Sequence, residues 1–409
     1  MTDLDDRVGR LHAAPPTVPD MTEPSSPIKR IGVAFPGDPG KRSTWSGTPS
    51  GVMRGLAEIG VEPVAIQAEP SPMVRAATLN AVTLAYLRPG RDLKAVALRG
   101  RAAAWASPAM AAVNSWASPK RLRQAGHLDG IVQIGTGYTL DTDVPIATFE
   151  DMTIAQTRGH AYAGWSDISE RAFEARLDRQ RRIYQQAVAC CLTSRWAAES
   201  VIADYGISPA KVHVVGVGRN HTAPETDRDW SSPRFLFVGM DWPRKNGDAV
   251  VRAFARLRES LPDARLDLVG GHPAIDAPGV TGHGILRMDD PDQHAELERL
   301  FAEATCFVMP SLSEASAIAY VEAGAAGLPS IGTTSGGSDY LIGEGGVVVD
   351  PHDPEALLAA MRRLADPATA QRMGAAAKLR SRMFTWPEVA RRLVRAIEGV
   401  PVEQARSIA

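Results

Sequence analysis

Three pairs of charged residues stand where chemistry is concentrated. Glu314 and Glu322 lie eight apart in SEASAIAYVEAGAAGLPS (313–330), and from Ala317 to Ala326 Glu322 is the only charge. A charge in so apolar a run is costly to bury unless something pairs with it. Arg244 and Lys245 are adjacent in FVGMDWPRKNGDAVVRAF (237–254). Two cations on one loop can neutralise a diphosphate, arginine by a bidentate fork and lysine as a point charge. Glu150 and Asp151 follow PIATF in TFEDMT (148–153). Carboxylates there can orient sugar hydroxyls or stabilise positive charge at an anomeric carbon.

Each pair also has a plain reading. Arg244 and Lys245 are then a solvated basic pair near a turn. Glu322 lies on a solvent-facing side of its helix, and Glu314 favours the helix N-terminus through the dipole. Glu150 and Asp151 are solvated turn acids.

The elements that position these residues favour the chemical reading. IGVAF, VEPVAIQ, GIVQIG, PIATF, VACCLTS and KVHVVGVG are short apolar runs, separated by helical stretches such as ERAFEARLDRQRRIYQQA. This alternation indicates parallel α/β units. A polar stretch, RNHTAPETDRDWSSP (219–233), reads as a linker. The alternation then restarts with RFLFVG, ARLDLVGG, TCFVMPS, LPSIGT and GGVVVD. Two Rossmann-like domains with a cleft between them are expected, with ligands beyond the carboxyl ends of the strands.

Gly239 ends the strand before the Arg244–Lys245 loop, and the next helix begins near Gly247, where backbone N–H groups can meet an anion. Glu314 falls on the loop after TCFVMPS. Glu322 lies about two turns into the helix AIAYVEAGAA, which stops at Gly327 with Pro329 beyond. A carboxylate on that loop can accept from sugar hydroxyls, and one on the helix can take the vicinal hydroxyls of a ribose. Gly47 and Gly51 in WSGTPSG (45–51) allow close approach of backbone to a ligand, or simply a flexible loop. TTSGGSDYL (333–341) is similar.

Size and composition agree with this plan. The chain has 409 residues, enough for two domains with real cores. Its net charge of -2 gives no pull toward nucleic acid. The three cysteines, Cys190, Cys191 and Cys306, have neither metal-ligand nor disulfide-framework spacing, which fits a cytoplasmic compartment. Residues 1–27 read as a disordered tail without a signal peptide's apolar core. No apolar run reaches the roughly 18 residues needed to span a bilayer. The stretch from Arg88 to Arg123 carries eight basic residues, one acid (Asp92), and Trp105 and Trp116. It suits peripheral contact with an anionic membrane at its inner face or an acidic acceptor, or is an ordinary solvated surface.

Assembled, these residues resemble the family 4 retaining glycosyltransferases of the GT-B fold. The resemblance runs from about residue 190 to 397, and the E-x7-E pattern of Glu314 and Glu322 is its most specific element. It implies an α/β fold of two Rossmann-like domains. The acceptor domain would span 28–220 and the donor domain 221–385, with a C-terminal helix in 386–409 packing toward the first. It also implies that the donor domain binds a UDP- or GDP-sugar as co-substrate, with no other cofactor.

Lys245 matches the family's diphosphate lysine. Met240 replaces the usual arginine after Gly239, so Arg244 is expected to supply that charge. Glu322 would hold the ribose and Glu314 the transferred hexose. The usual glycine-rich donor loop is Ala315-Ser316-Ala317 here, and Glu150-Asp151 stands where the first domain often has His-Asp, with His160 a distant substitute. Glu314, Asp151, Lys245 and Arg244 are the expected catalytic group, and Gly47, Thr48 and Glu150 face the acceptor, a glycan, lipid-linked saccharide or small molecule.

The resemblance implies transfer with retention, the leaving diphosphate taking the acceptor proton, and no metal, since Asp141-Thr142-Asp143 precedes a strand instead of following one. The rival readings are an epimerase or a C–N-forming relative on the same scaffold, or a nucleotide-sugar binder without turnover.

Overall fold

A computed structural model describes residues 28–42, 44–86, 104, 107–159, 168–221 and 227–402. The 1–27 segment, residues 87–103 with Trp105, His160, and part of the 219–233 stretch lie outside the described residues.

Six parallel strands build the first sheet: β1 (Arg30–Phe35), β2 (Glu62–Gln67), β3 (Gly130–Ile134), β4 (Ile146–Glu150), β5 (Ala189–Leu192) and β6 (Val212–Val214), in the order β2-β1-β3-β4-β5-β6. The second sheet holds β7 (Arg234–Gly239), β8 (Arg265–Gly270), β9 (Val280–Gly284), β10 (Cys306–Val308), β11 (Ser330–Thr333) and β12 (Gly346–Val349), in the order β12-β11-β10-β7-β8-β9. Helices cover both faces, so strands such as GIVQI and ACCL are buried at every position.

Strand order reverses between β1 and β3 in the first sheet and between β10 and β7 in the second. Loops leaving adjacent strands at such a point diverge and open a crevice. The loop carrying Arg244 and Lys245 leaves β7, and the loop carrying Glu314 leaves β10. The two expected donor loops are thus neighbours at the second sheet's switch point, although nearly 70 residues separate them (|i−j| = 69 for Lys245 and Glu314).

Two details depart from the sequence reading. β9 was not expected: VTGHG has two glycines and a histidine, and as an edge strand with a register shift it is only partly buried. Glu150 belongs to β4, paired with Leu192 of β5, and not to the turn that follows.

The helix Trp386–Ile397 returns to the first domain and packs on the helix Thr48–Glu58. Thr385 caps it, its hydroxyl accepting from the Glu388 N–H at 3.3 Å. Its Trp386 ring lies over backbone that must be glycine. A Cβ at Gly51 would come within 2.1 Å of that ring, and one at Gly218 within 2.4 Å. A Cβ at Gly55 would meet the Trp386 carbonyl oxygen at 2.2 Å.

Candidate active site at the domain junction

Lys245 reaches the site because Gly239 lets it. A Cβ on Gly239 would sit 2.9 Å from the Lys245 Cγ, so the lysine stem fills the space a side chain would occupy. Asn246 follows in the left-handed region at φ 61 and is anchored by its side-chain N–H to the Pro351 carbonyl at 2.8 Å. The helix Gly247–Arg258 then starts with no side-chain cap on its N–H groups.

The Lys245 ammonium donates to the Glu314 carboxylate. The same oxygen accepts from the Ser311 hydroxyl at 3.1 Å and lies 3.6 Å from an Arg244 nitrogen. Arg244 also donates to the Ser313 carbonyl at 3.0 Å and pairs with Asp241 at 3.2 Å. Lys245 and Glu314 are both buried. Burial holds the lysine's pKa below its ordinary value, and the Glu314 charge opposes that shift.

The backbone of Glu314 is fixed as firmly as its side chain. Its N–H donates to the Ser335 carbonyl, and its carbonyl accepts from the Gly337 N–H, each at 3.1 Å. Gly336 is required there, since a Cβ would lie 1.8 Å from the Glu314 carbonyl oxygen. The S-G-G stretch at 335–337 therefore supports the Glu314 loop directly. Beyond it, Ala315 and Ala317 are buried, Ser316 is half-buried, and the helix Ile318–Ala325 begins without a side-chain cap. Two buried or half-buried cations meet at Glu314, and a helix without a side-chain cap begins a few residues beyond Lys245 and beyond Glu314, a combination suited to a polyphosphate.

Glu322 is not on a solvated helix face. Its side chain is 11% exposed and pairs with His221 Nε2 at 3.2 Å. Its other oxygen accepts the Asn220 N–H at 3.3 Å. Asn220 and His221 lie on the chain crossing from the first domain to the second. The linker reading overlooked them, because a lone Asn-His in a polar stretch has no periodicity to mark it.

Asp151 stands at the carboxyl end of β4, half-buried. Its carboxyl is pushed up to about 6, chiefly by burial; the charge of Glu314 adds to the rise, and the N–H groups of Asp151 and Met152 oppose it.

Glu150 corrects the expectation of an acceptor-facing carboxylate. It is buried inside the first domain, where it accepts from the Thr136 hydroxyl at 2.7 Å, from Gln180 at 3.1 Å and from the Tyr184 hydroxyl. Burial raises its carboxyl to about 7, helped by Asp151 and opposed by the Tyr184, Thr136 and Gln180 hydrogen bonds. Strand alternation sends Glu150 inward and leaves the next residue, Asp151, at the strand end.

Gly51 corrects a second expectation, since it makes room for Trp386 and not for a ligand. At Gly47 a Cβ would lie 3.2 Å from the Arg42 carbonyl oxygen and from the Asn220 side chain. Trp45, Ser46 and Gly47 all adopt positive φ, at 41, 52 and 78, just before the helix that Thr48 begins. The loop is held, not loose: Asn220 donates to the Ser46 carbonyl at 2.7 Å. Such backbone strain persists only where surroundings enforce it.

Among the described residues, no group of three or more His, Cys, Asp or Glu is arranged to hold a metal ion, and no helix is long and apolar enough to cross a membrane.

Comparisons with known proteins point the same way. The family described as "Glycosyl transferases group 1" matches residues 232–366. The chain is 29% identical over 274 residues to a D-inositol 3-phosphate glycosyltransferase of Nocardioides sp., a match covering 58% of this chain and 59% of that protein. It is 30% identical over 254 residues to a GDP-mannose-dependent alpha-(1-6)-phosphatidylinositol monomannoside mannosyltransferase of Mycolicibacterium smegmatis, covering 55% and 64%. The match thus spans about three-fifths of the length of these relatives. Among solved structures, sucrose-phosphate synthase from Thermosynechococcus elongatus superposes with a TM-score of 0.59 at 20% identity, covering 88% of this chain and 96% of that one. That likeness shows the fold: GT-B.

Proposed function

We propose that the chain transfers a hexose from a UDP- or GDP-sugar to an acceptor hydroxyl, a reading supported by the match of residues 232–366 to the group 1 glycosyl transferases. The observation that carries this reading is the buried Lys245–Glu314–Arg244 cluster at the sheet's switch point, beside two uncapped helix N-termini.

Lys245, Arg244 and the two helix ends bind the diphosphate and stabilise the charge that grows as it leaves. Glu314 orients the hexose, and Glu322 accepts from the ribose hydroxyls. Asp151 faces the reacting carbon from the first domain and opposes the positive charge that develops there. The acceptor hydroxyl attacks from the side the diphosphate vacates. Its oxygen bonds to the anomeric carbon, the carbon–phosphate-oxygen bond breaks, and the departing phosphate oxygen takes the proton. Retention of configuration follows. The cations provide the neutralisation a metal would otherwise give, so the rate is expected to persist in EDTA. Loss of activity restored by Mn²⁺ would overturn that part.

The acceptor is a hydroxyl of a glycan, lipid-linked saccharide or small polyol. The names of the two relatives, one inositol phosphate and one phosphatidylinositol glycoside, favour a polyol-bearing acceptor. A thermal-shift series with UDP, GDP and their hexose conjugates tests the donor. Stabilisation that rises with ligand concentration as mass action requires is expected, whereas no response to any of them refutes the reading.

A further inference from the structure

We propose that His221 is a positioning residue. Together with the Asn220 N–H it holds the Glu322 carboxylate so that only its remaining acceptor positions face a ribose. This rests on the reading of Glu322 as the ribose-holding carboxylate.

The geometry is explicit. One Glu322 oxygen accepts the Asn220 N–H at 3.3 Å, and the other pairs with His221 Nε2 at 3.2 Å. A carboxylate has about four lone-pair positions, so two donors leave two for a vicinal diol. A carboxylate fixed at both oxygens cannot rotate, and its remaining acceptors keep one direction. A bidentate grip on neighbouring hydroxyls needs that constraint.

His221 is itself fixed. Its side chain is 6% exposed. The His294 ring meets it edge-on with centroids 5.8 Å apart, and the Phe301 ring lies 5.7 Å away. The charged groups facing it are Glu322 from the helix Ile318–Ala325 and Glu298 from the helix Pro291–Glu303. Burial opposes its protonation, but Glu322 and Glu298 outweigh burial and raise its pKa.

Asn220 extends the arrangement. Its side chain donates to the Ser46 carbonyl at 2.7 Å and accepts from Trp386 Nε1 at 3.1 Å. One residue thus ties Glu322 to the strained loop of the first domain and to the C-terminal helix. The carboxylate's orientation is referenced to the first domain as well as to its own.

The test compares ribose recognition with general nucleotide affinity. Calorimetry is run with UDP and GDP and with their 2′,3′-dideoxy counterparts, on wild type, His221→Ala, His221→Gln and Glu322→Ala. Wild type is expected to prefer the ribose form about tenfold or more, the loss associated with an unmade buried hydrogen bond. His221→Ala should reduce that preference to within about twofold while leaving affinity for the dideoxy form unchanged. His221→Gln returns an N–H donor near the Nε2 position and should restore most of the preference.

A His221→Ala variant that keeps the tenfold preference, or loses both affinities equally, overturns the inference. Equal loss would mark His221 as structural only. If Glu322→Ala itself keeps the preference, the ribose assignment fails first and the inference falls with it. If neither diphosphate binds wild type, both are refuted.

Discussion

Lys245→Met leaves the Glu314 carboxylate buried without its closest cation. Removing one partner of a buried ion pair costs roughly 3–5 kcal/mol. Two neighbours remain here, the Ser311 hydroxyl at 3.1 Å and an Arg244 nitrogen at 3.6 Å. They offset part of the loss, so a destabilisation of about 2–3 kcal/mol is expected. For a domain of this size each kcal/mol moves Tm by about 2–4 °C, which puts the fall near 4–12 °C.

The double variant Lys245→Met/Glu314→Gln removes both charges together. It should return to within about 1 kcal/mol of wild type, because exchanging a whole buried pair is close to neutral. The coupling between the two sites is then at least about 1–3 kcal/mol, and larger by whatever Glu314→Gln costs alone, well outside additivity. Scanning calorimetry measures all four proteins, without and with nucleoside diphosphate. At a hundredfold excess over Kd the ligand adds about 2.7 kcal/mol to wild type. It should add almost nothing to the double variant, in which the fold is restored but the diphosphate site is not. A single variant as stable as wild type, or strict additivity in the double, would refute the claim that these charges depend on one another. A double variant that still gains the full ligand stabilisation would remove Lys245 from the donor site.

Other outcomes follow from the same structure. The Glu150 carboxyl is raised to about 7, so the folded state binds more protons than the unfolded one between about 4.5 and 7. Stability should therefore fall as pH rises through that window, by up to about 3 kcal/mol, and Glu150→Gln should flatten the curve. Asp151, raised to about 6, gives the same sign over a lower window, so any slope left in Glu150→Gln should end near pH 6–7. Urea titrations from pH 4.5 to 8.5 measure both, and an unchanged slope in Glu150→Gln would contradict the buried network. Gly51→Ala drives a methyl into the Trp386 ring and should cost roughly 1–3 kcal/mol; faster proteolysis within the C-terminal helix would report it. Trp116 is 74% exposed beside exposed Lys120, Arg121 and Arg123, so the chain should co-sediment with anionic vesicles and not neutral ones. No sedimentation with either would remove the membrane-contact reading.

The parts of the fold that are continuous in sequence were legible there. GIVQI and ACCL are buried throughout, and apolar but for Gln133, because both faces of their sheet are covered, and five of the six second-domain strands are also marked by apolar residues. VTGHG is not, because an edge strand needs less apolar surface. The charged residues on the loops after β7 and β10 were readable from residue type. Orientation was not. Glu150 finds its partners 14, 30 and 34 residues away in Thr136, Gln180 and Tyr184, and nothing local says its side chain turns inward. Gly51 looked like a ligand-approach glycine because its demand comes from Trp386, at the other end of the chain. His221 gave no signal at all, since its meaning lies in Glu322, 101 positions away (one fewer than the 102 separating Asn220 from Glu322).

The docking of Trp386 against Gly51, Gly55 and Gly218 bears on how such a protein can be recombined. Residues 386–397 are last in sequence, yet they are structurally a piece of the first half. A chimera made by a single crossover in the linker would bring in a foreign closing helix and set its aromatic ring against glycines selected for another partner. The heritable module is therefore discontinuous. Swapping donor specificity calls for two junctions, one after Asn220 and one before Thr385, so that the incoming domain arrives as an insert and the host keeps its own closing helix.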